Sequence, residues 1–198
     1  MVGDGLFYNC GKLIQIDGLE NVSYSENFSF SSLFNNCYKL AKVDFKGNIP
    51  SRDMNATGMF NNCYNIRSIT FGTTISINAS SMFNNCYLLK EVDIENIVLS
   101  NAVSSINLMF SNCCSLECID ISHWTMPNTI TGLNSLFSGC TNLKSFKLPN
   151  DISNIISFDY LFSGCKSLEE IDLSNYTFND SQSITFNYTF NNRYIMFF

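Results

Sequence analysis

The chain repeats one arrangement of apolar and polar positions almost from end to end. Aligned on cysteine, the blocks are "LFYNCGKLIQIDG" from Leu6, "LFNNCYKLAKVDF" from Leu33, "MFNNCYNIRSITF" from Met59, "MFNNCYLLKEVDI" from Met82, "MFSNCCSLECIDI" from Met109, "LFSGCTNLKSFKL" from Leu136 and "LFSGCKSLEEIDL" from Leu161. A degenerate eighth, "TFNNRYIMFF", starts at Thr189. After the cysteine, apolar residues fall at three, six and eight positions, as at Leu40, Val43 and Phe45 or at Leu116, Ile119 and Ile121. The last two flank a polar residue, which is the period of a strand with one buried face. Each block therefore predicts a short strand stacked in parallel on its counterpart one repeat away.

Before the cysteine, each block's Phe has an apolar residue four positions earlier, such as Phe30, Ala56, Ala79 or Ile106, following a Ser- or Asn-rich run. That spacing behind a potential cap predicts a single helical turn. The position directly before the cysteine holds only Asn or Gly: Asn9, Asn36, Asn62, Asn85, Asn112, Gly139, Gly164 and Asn192. Those two residues best tolerate positive φ, so this column is expected to be the left-handed stop of the turn.

The motif cysteines Cys10, Cys37, Cys63, Cys86, Cys113, Cys140 and Cys165 lie 27, 26, 23, 27, 27 and 25 residues apart. A period of about 25 is that of leucine-rich-repeat solenoids. Return segments such as Gly47 to Asp53 and Thr125 to Thr131 hold the Pro, Gly, Asn and Asp, absorb the variation in length, and are expected to be loops. The fold expected is an α/β repeat solenoid: one domain over residues 1–198, with a curved parallel sheet on one face and short helical turns on the other.

"MFxxCxxLxxIDIS", with Trp124 and then Asn128 and Thr129 after "DISHW", resembles the BspA-like leucine-rich repeat family of bacterial and protist surface proteins. It is similar to that family's "MFxxCxxLxxLDLSxWxTSNV" variety, and the resemblance runs from Leu6 to about Phe190. It departs in the Trp column, which is filled once, with Tyr176 matching it in the last full repeat. The resemblance implies a right-handed leucine-rich-repeat coil and a non-enzymatic module for protein recognition or adhesion, at a cell surface or secreted.

Composition narrows the partners. Charged residues are 14% of the chain and the formal charge is −6, so the clustered Lys and Arg that a nucleic acid or an anionic lipid surface needs are missing. No run of eighteen apolar residues occurs, so no membrane-spanning helix is predicted. The start, "MVGDGLFYNC", shows no secretory signal. Both ends read as cut into the repeat, and the apolar "YIMFF" that closes the chain suggests lateral or end-to-end packing. A structural repeat segment inside a larger assembly is therefore the alternative to a recognition module.

The cysteines invite chemistry and mostly lose it on inspection. Equivalent sites stack one coil apart, at about 4.8 Å, near the lower edge of what a disulfide accepts, so reduced core thiols are the expectation. "CCSLEC" clusters three thiols, but Cys113 is expected inward, Cys114 on the ridge and Cys118 on the outward strand face. With no CxxC and one histidine, His123, neither a metal nor another cofactor is expected. No hydrolase motif or phosphate-binding loop occurs either, so no enzyme is expected. Asp17, Asp44, Asp93, Asp120 and Asp172 align, interleaved with Lys42, Arg67, Lys90, Lys144 and Lys147, as a solvated mixed-charge face in preference to a Ca²⁺ site. Asn-x-Ser/Thr triplets are expected by chance in a chain this rich in Asn and Ser. Tyr38, Tyr64 and Tyr87 follow the cysteine in three successive repeats, and stacked tyrosines are the candidate surface for a protein or host-surface partner.

Overall fold

The computed structural model describes residues 3–25, 28–50, 53–178 and 181–191. Its strands, in chain order, are β1 (Lys42–Asp44), β2 (Asp53–Asn55), β3 (Ser68–Thr70), β4 (Ile75–Asn78), β5 (Glu91–Val92), β6 (Ile97–Leu99), β7 (Cys118–Asp120) and β8 (Ser145–Lys147). The predicted strand is present in five of the seven full blocks: β1, β3 and β5 pair in parallel, as do β7 and β8, with Val43 opposite Ile69 and Ile119 opposite Phe146, while the first and seventh blocks run through this position without forming a strand.

Two features differ from the sequence expectation. The return segments are not only loops, because β2, β4 and β6 form a second parallel sheet there, with Met54 opposite Ile77 and Asp53 opposite Ser76. In later coils the same region is reduced to single bridges, such as Gly132 to Ser157 and Ser157 to Thr185.

The second correction concerns the helical turns. Among the described residues there is no α-helix, only 3-10 turns at Leu19–Asn21 and Ile94–Asn96. The segment before each cysteine is instead a ladder of tight turns. Within one coil, Leu33, Asn35 and Cys37 donate their N–H groups to the carbonyls of Phe30, Ser32 and Phe34. The intervening residues Ser32, Phe34 and Asn36 donate to Thr57, Met59 and Asn61 of the next coil. A helix would spend every one of these donors inside its own turn. Here half of them stitch coil to coil, which is how a solenoid satisfies backbone it cannot expose.

That pattern needs two left-handed residues per turn. The predicted one is present at Asn36, Asn62, Asn85 and Asn112, with φ between 60° and 64°. A second lies four positions earlier, at Gly5, Ser32, Gly58, Ser81, Leu108, Ser135, Tyr160 and Tyr188, a column that mixes Ser and Gly with Leu and Tyr and so does not announce a left-handed residue.

The core lies between the two sheets and the turn ladder. Its spine is the Phe of each block: rings of Phe7, Phe34, Phe60, Phe83, Phe110, Phe137, Phe162 and Phe190 stack in one column at 5.2–5.9 Å. Leu40, Ile66, Leu89 and Leu143 close the strand side, fully buried. Burying a side chain of this size is worth about 1.5–3 kcal/mol, so the repeated columns supply most of the driving force for folding.

The outer sheet is interrupted between β5 and β7, which are not paired. Asp93 is the cause. Its carboxylate accepts the N–H of Gly72 in the preceding coil and the side-chain amide of Asn96, at 3.1 and 2.7 Å. The chain then turns into the 3-10 segment Ile94–Asn96. A cleft of about 530 Å³ opens there, bordered by Val92, Ile94, Ile119 and Phe146.

Candidate functional site

The three predicted tyrosines come together. Each leaves the turn ladder directly after its buried cysteine, so the same stitching that aligns the Phe column aligns these rings on the outside. Tyr38 and Tyr64 stack with centroids 5.1 Å apart, and Tyr64 and Tyr87 at 5.0 Å, with interplanar angles of 23° and 15°. Tyr38 is 37% exposed and Tyr87 39%, while Tyr64 between them is half-buried. At the lower end Tyr38 lies over Gly11, where a β-carbon would meet its ring at 2.9 Å. At the upper end the column passes to Cys114, whose thiol donates to the Gly139 carbonyl. The result is a row of ring edges and hydroxyls held at the spacing of the coils.

A second exposed pair was not anticipated. Tyr160 and Tyr188 stack at 5.1 Å, in the second left-handed column. Serine or glycine fills that column in most repeats, so pattern alone did not single out its aromatic members.

Six of the seven motif cysteines occupy the expected interior column, Cys37, Cys63, Cys86, Cys113, Cys140 and Cys165 being fully buried, whereas Cys10 in the first coil, with no coil before it to cover it among the described residues, is exposed. The buried six do more than fill space. Each thiol donates to the Phe carbonyl of the preceding coil, at 3.1 Å for Cys63 to Phe34 and 3.2 Å for Cys86 to Phe60. Burial, with neighbouring thiols adding to it, pushes Cys37 up to about 11, and burial pushes Cys165 up to about 12. Cys86, Cys113 and Cys140 are driven well above the ordinary range by the same cause. These thiols stay protonated and unreactive. Cys114 is half-buried and Cys118 exposed on the outer face of β7, the directions expected for them.

The aspartate column closes strands. Asp44 accepts the N–H of Lys46, Asp120 that of Ser122 and Asp172 that of Ser174, each two residues on. Ser122 first, with Lys147 next, lowers Asp120 to about 2. Among the described residues no group of three or more His, Cys, Asp or Glu side chains is placed to hold a metal ion. His123 is exposed, with Nε2 3.2 Å from the Ile94 carbonyl. Several cations pair across coils: Lys46 with Glu20, Lys144 with Glu117 and Lys147 with Asp120, at 2.8, 2.7 and 2.9 Å. Arg67 and Lys90 make no such pair among the described residues.

The left-handed Asn column also carries a side-chain ladder. Asn62 donates its amide to Asn36, Asn85 to Asn62 and Asn112 to Asn85, at 2.8, 2.7 and 2.8 Å. It ends at Gly139, where a β-carbon would stand 2.0 Å from the Asn112 oxygen.

The model of the BspA type leucine rich repeat region matches residues 1–124 and 117–197, with six copies. The chain belongs to this family. No curated protein matches it. Among solved structures, this BspA-type chain is similar to the crystal structure of a Treponema pallidum leucine rich repeat protein, 26% identical, covering 85% of this chain and 71% of that one with a TM-score of 0.56. It also matches, at 21% identity and a TM-score of 0.33, a leucine rich cell surface protein from Faecalibacterium prausnitzii, over 72% of this chain and 50% of that one. Among the described residues of the BspA-type chain no helix is long and apolar enough to cross a membrane.

Proposed function

We propose that the chain is a protein-recognition module, of a cell-surface or secreted protein, and that it binds its partner through Tyr38, Tyr64 and Tyr87. The observation that carries this reading is the stacking of three rings on the outside of the coil, at 5.0–5.1 Å. Tyrosine held rigid by its neighbours loses little entropy on binding and offers both apolar area and a hydroxyl. Solenoids of this kind present extended surfaces to partners, and BspA-type membership supports a recognition role over a catalytic one. Several of the charged side chains are occupied in strand closure and cross-coil pairs, as Asp120, Glu117, Lys144 and Lys147 are.

The structural-assembly alternative rested on "YIMFF", which lies outside the described residues. The test is capture of partners from the native surface or assembly by the wild-type chain and by a triple Tyr38→Ser, Tyr64→Ser, Tyr87→Ser variant. Recognition through the ladder predicts loss of the captured partner with an unchanged far-ultraviolet spectrum. Equal capture by both proteins would show that the ladder is not the contact.

A further inference from the structure

The charges beside the tyrosine ladder identify the kind of partner it fits. In the four residues after each motif cysteine, the first four coils carry Lys12, Lys39, Arg67 and Lys90 and no Asp or Glu at all. Lys39 adjoins Tyr38, while Arg67 and Lys90 stand three residues after Tyr64 and Tyr87. All four cations are exposed. None joins an ion pair among the described residues, whereas Lys46, Lys144 and Lys147 each have a carboxylate within 3 Å. The carboxylate in the same column of the next coil, Glu117, is held by Lys144 at 2.7 Å. Glu91, next to Lys90, marks where the charge turns negative again. Lys90 also draws on Glu117, which it helps to hold ionised, but the first four coils keep four exposed cations outside any ion pair among the described residues, on a chain of net charge −6 and in the same segments that carry the stacked tyrosines.

We infer that the ladder and its cations take an acidic, extended segment of a partner protein. The inference rests on the tyrosine reading above and adds to it the chemistry of the ligand. Unpaired cations beside rigid aromatic edges gain carboxylates without first breaking an internal ion pair, so the attraction is not spent on an exchange of partners. Four coils at about 5 Å spacing span about 15 Å, the reach of roughly five extended residues. A nucleic acid fits less well, since four cations neutralise few phosphates and the remainder of this acidic surface would repel its backbone.

The probe is a fluorescent ten-residue peptide of alternating Glu and Ser, followed by anisotropy at low and physiological salt, with a Lys-Ser peptide as the control of opposite charge. The acidic peptide is expected to bind, to weaken by about tenfold or more as salt rises to 0.15 M, and the Lys-Ser peptide to stay free. A Lys39→Ser, Arg67→Ser, Lys90→Ser variant, with its circular dichroism unchanged, should lose the peptide. Lys144→Ser, which removes a paired lysine, should retain it.

Binding that survives loss of the three cations overturns the inference. If the tyrosine variant alone abolishes binding, the ladder reading stands and the charge inference fails. If the cation variant alone abolishes it, the charge inference stands without the ladder. Failure of the peptide, with capture of heparin or phosphatidylserine vesicles by the same cations, also overturns it, because they would then serve another polyanion.

Discussion

The thiol of Cys86 donates a hydrogen bond to the carbonyl of Phe60, one coil below, at 3.2 Å. The same carbonyl already accepts the N–H of Cys63 in its own coil, at 3.0 Å. Each Phe carbonyl is in this way shared between the turn that it closes and the coil that lies on it. A column that reads as small apolar filler is therefore a row of weak hydrogen bonds, and this sets the first prediction. Cys86→Ala removes the bond and leaves a void, at a cost of about 1–2 kcal/mol. Cys86→Ser keeps a donor and should cost less than Ala. Urea unfolding of the two variants decides the point: were the cysteine only filler, the buried hydroxyl would make Ser the worse of the two.

The second left-handed column carries a residue ill suited to it. Leu108 holds φ at 60° and is 39% exposed. A residue with a β-carbon pays about 1–2 kcal/mol for that conformation, and glycine does not. Leu108→Gly is expected to stabilise the protein by about 1 kcal/mol, read as a higher urea midpoint at constant slope. The matching change at Ser81, where the strain is the same but the side chain smaller, should act in the same direction.

The asparagine ladder offers a cleaner separation of backbone from side chain. Asn85 both holds φ at 61° and bridges Asn62 to Asn112. Asn85→Gly keeps the conformation and deletes both amide bonds, which should cost about 1–2 kcal/mol. Asn85→Ala deletes the bonds and adds strain, so it should cost about 1 kcal/mol more than Gly. Equal thermal midpoints for the two variants would show that the left-handed geometry at this position carries no strain.

What could be read from sequence follows from which features have a fixed spacing. The Phe, Cys and Leu columns keep their distances within every block, so the core, the left-handed Asn and the β1-type strand were legible as columns. The sheet of β2, β4 and β6 was not, because it lies in the stretch where the spacing varies from 23 to 27 and no alignment survives. The helical turn was misread for a physical reason: apolar residues four apart also suit a turn whose alternate N–H groups leave the coil. Periodicity registers which side chains face inward but not where the donors go. The tyrosine ladder is visible as a column, whereas the arrangement that pairs Lys144 and Lys147 and leaves Arg67 and Lys90 without an ion pair among the described residues shows only in three dimensions.

The buried thiols make the fold sensitive to alkali. An unfolded cysteine ionises near about 8.5. In the folded chain, burial first and neighbouring thiols next raise Cys37 to about 11, and burial raises Cys165 to about 12, with Cys63, Cys86, Cys113 and Cys140 well above the ordinary range. Below about pH 8.5 both states hold their protons and this contribution to stability is complete. Above it the unfolded chain releases protons that the folded chain keeps, so stability falls as pH rises towards the folded values. Each such thiol removes about 1.4 kcal/mol per pH unit, and six together on the order of 8 kcal/mol per unit. A domain stabilised by about 5–15 kcal/mol is exhausted within one or two units at that slope. The chain should therefore unfold cooperatively between about pH 9 and 11, with the thiolate absorbance near 240 nm rising together with the loss of the far-ultraviolet signal. Thiolate appearing stoichiometrically while the spectrum stays native would show that the column ionises in place. A Cys86→Ala, Cys113→Ala double variant, although less stable at neutral pH, should lose stability less steeply with alkali than the parent.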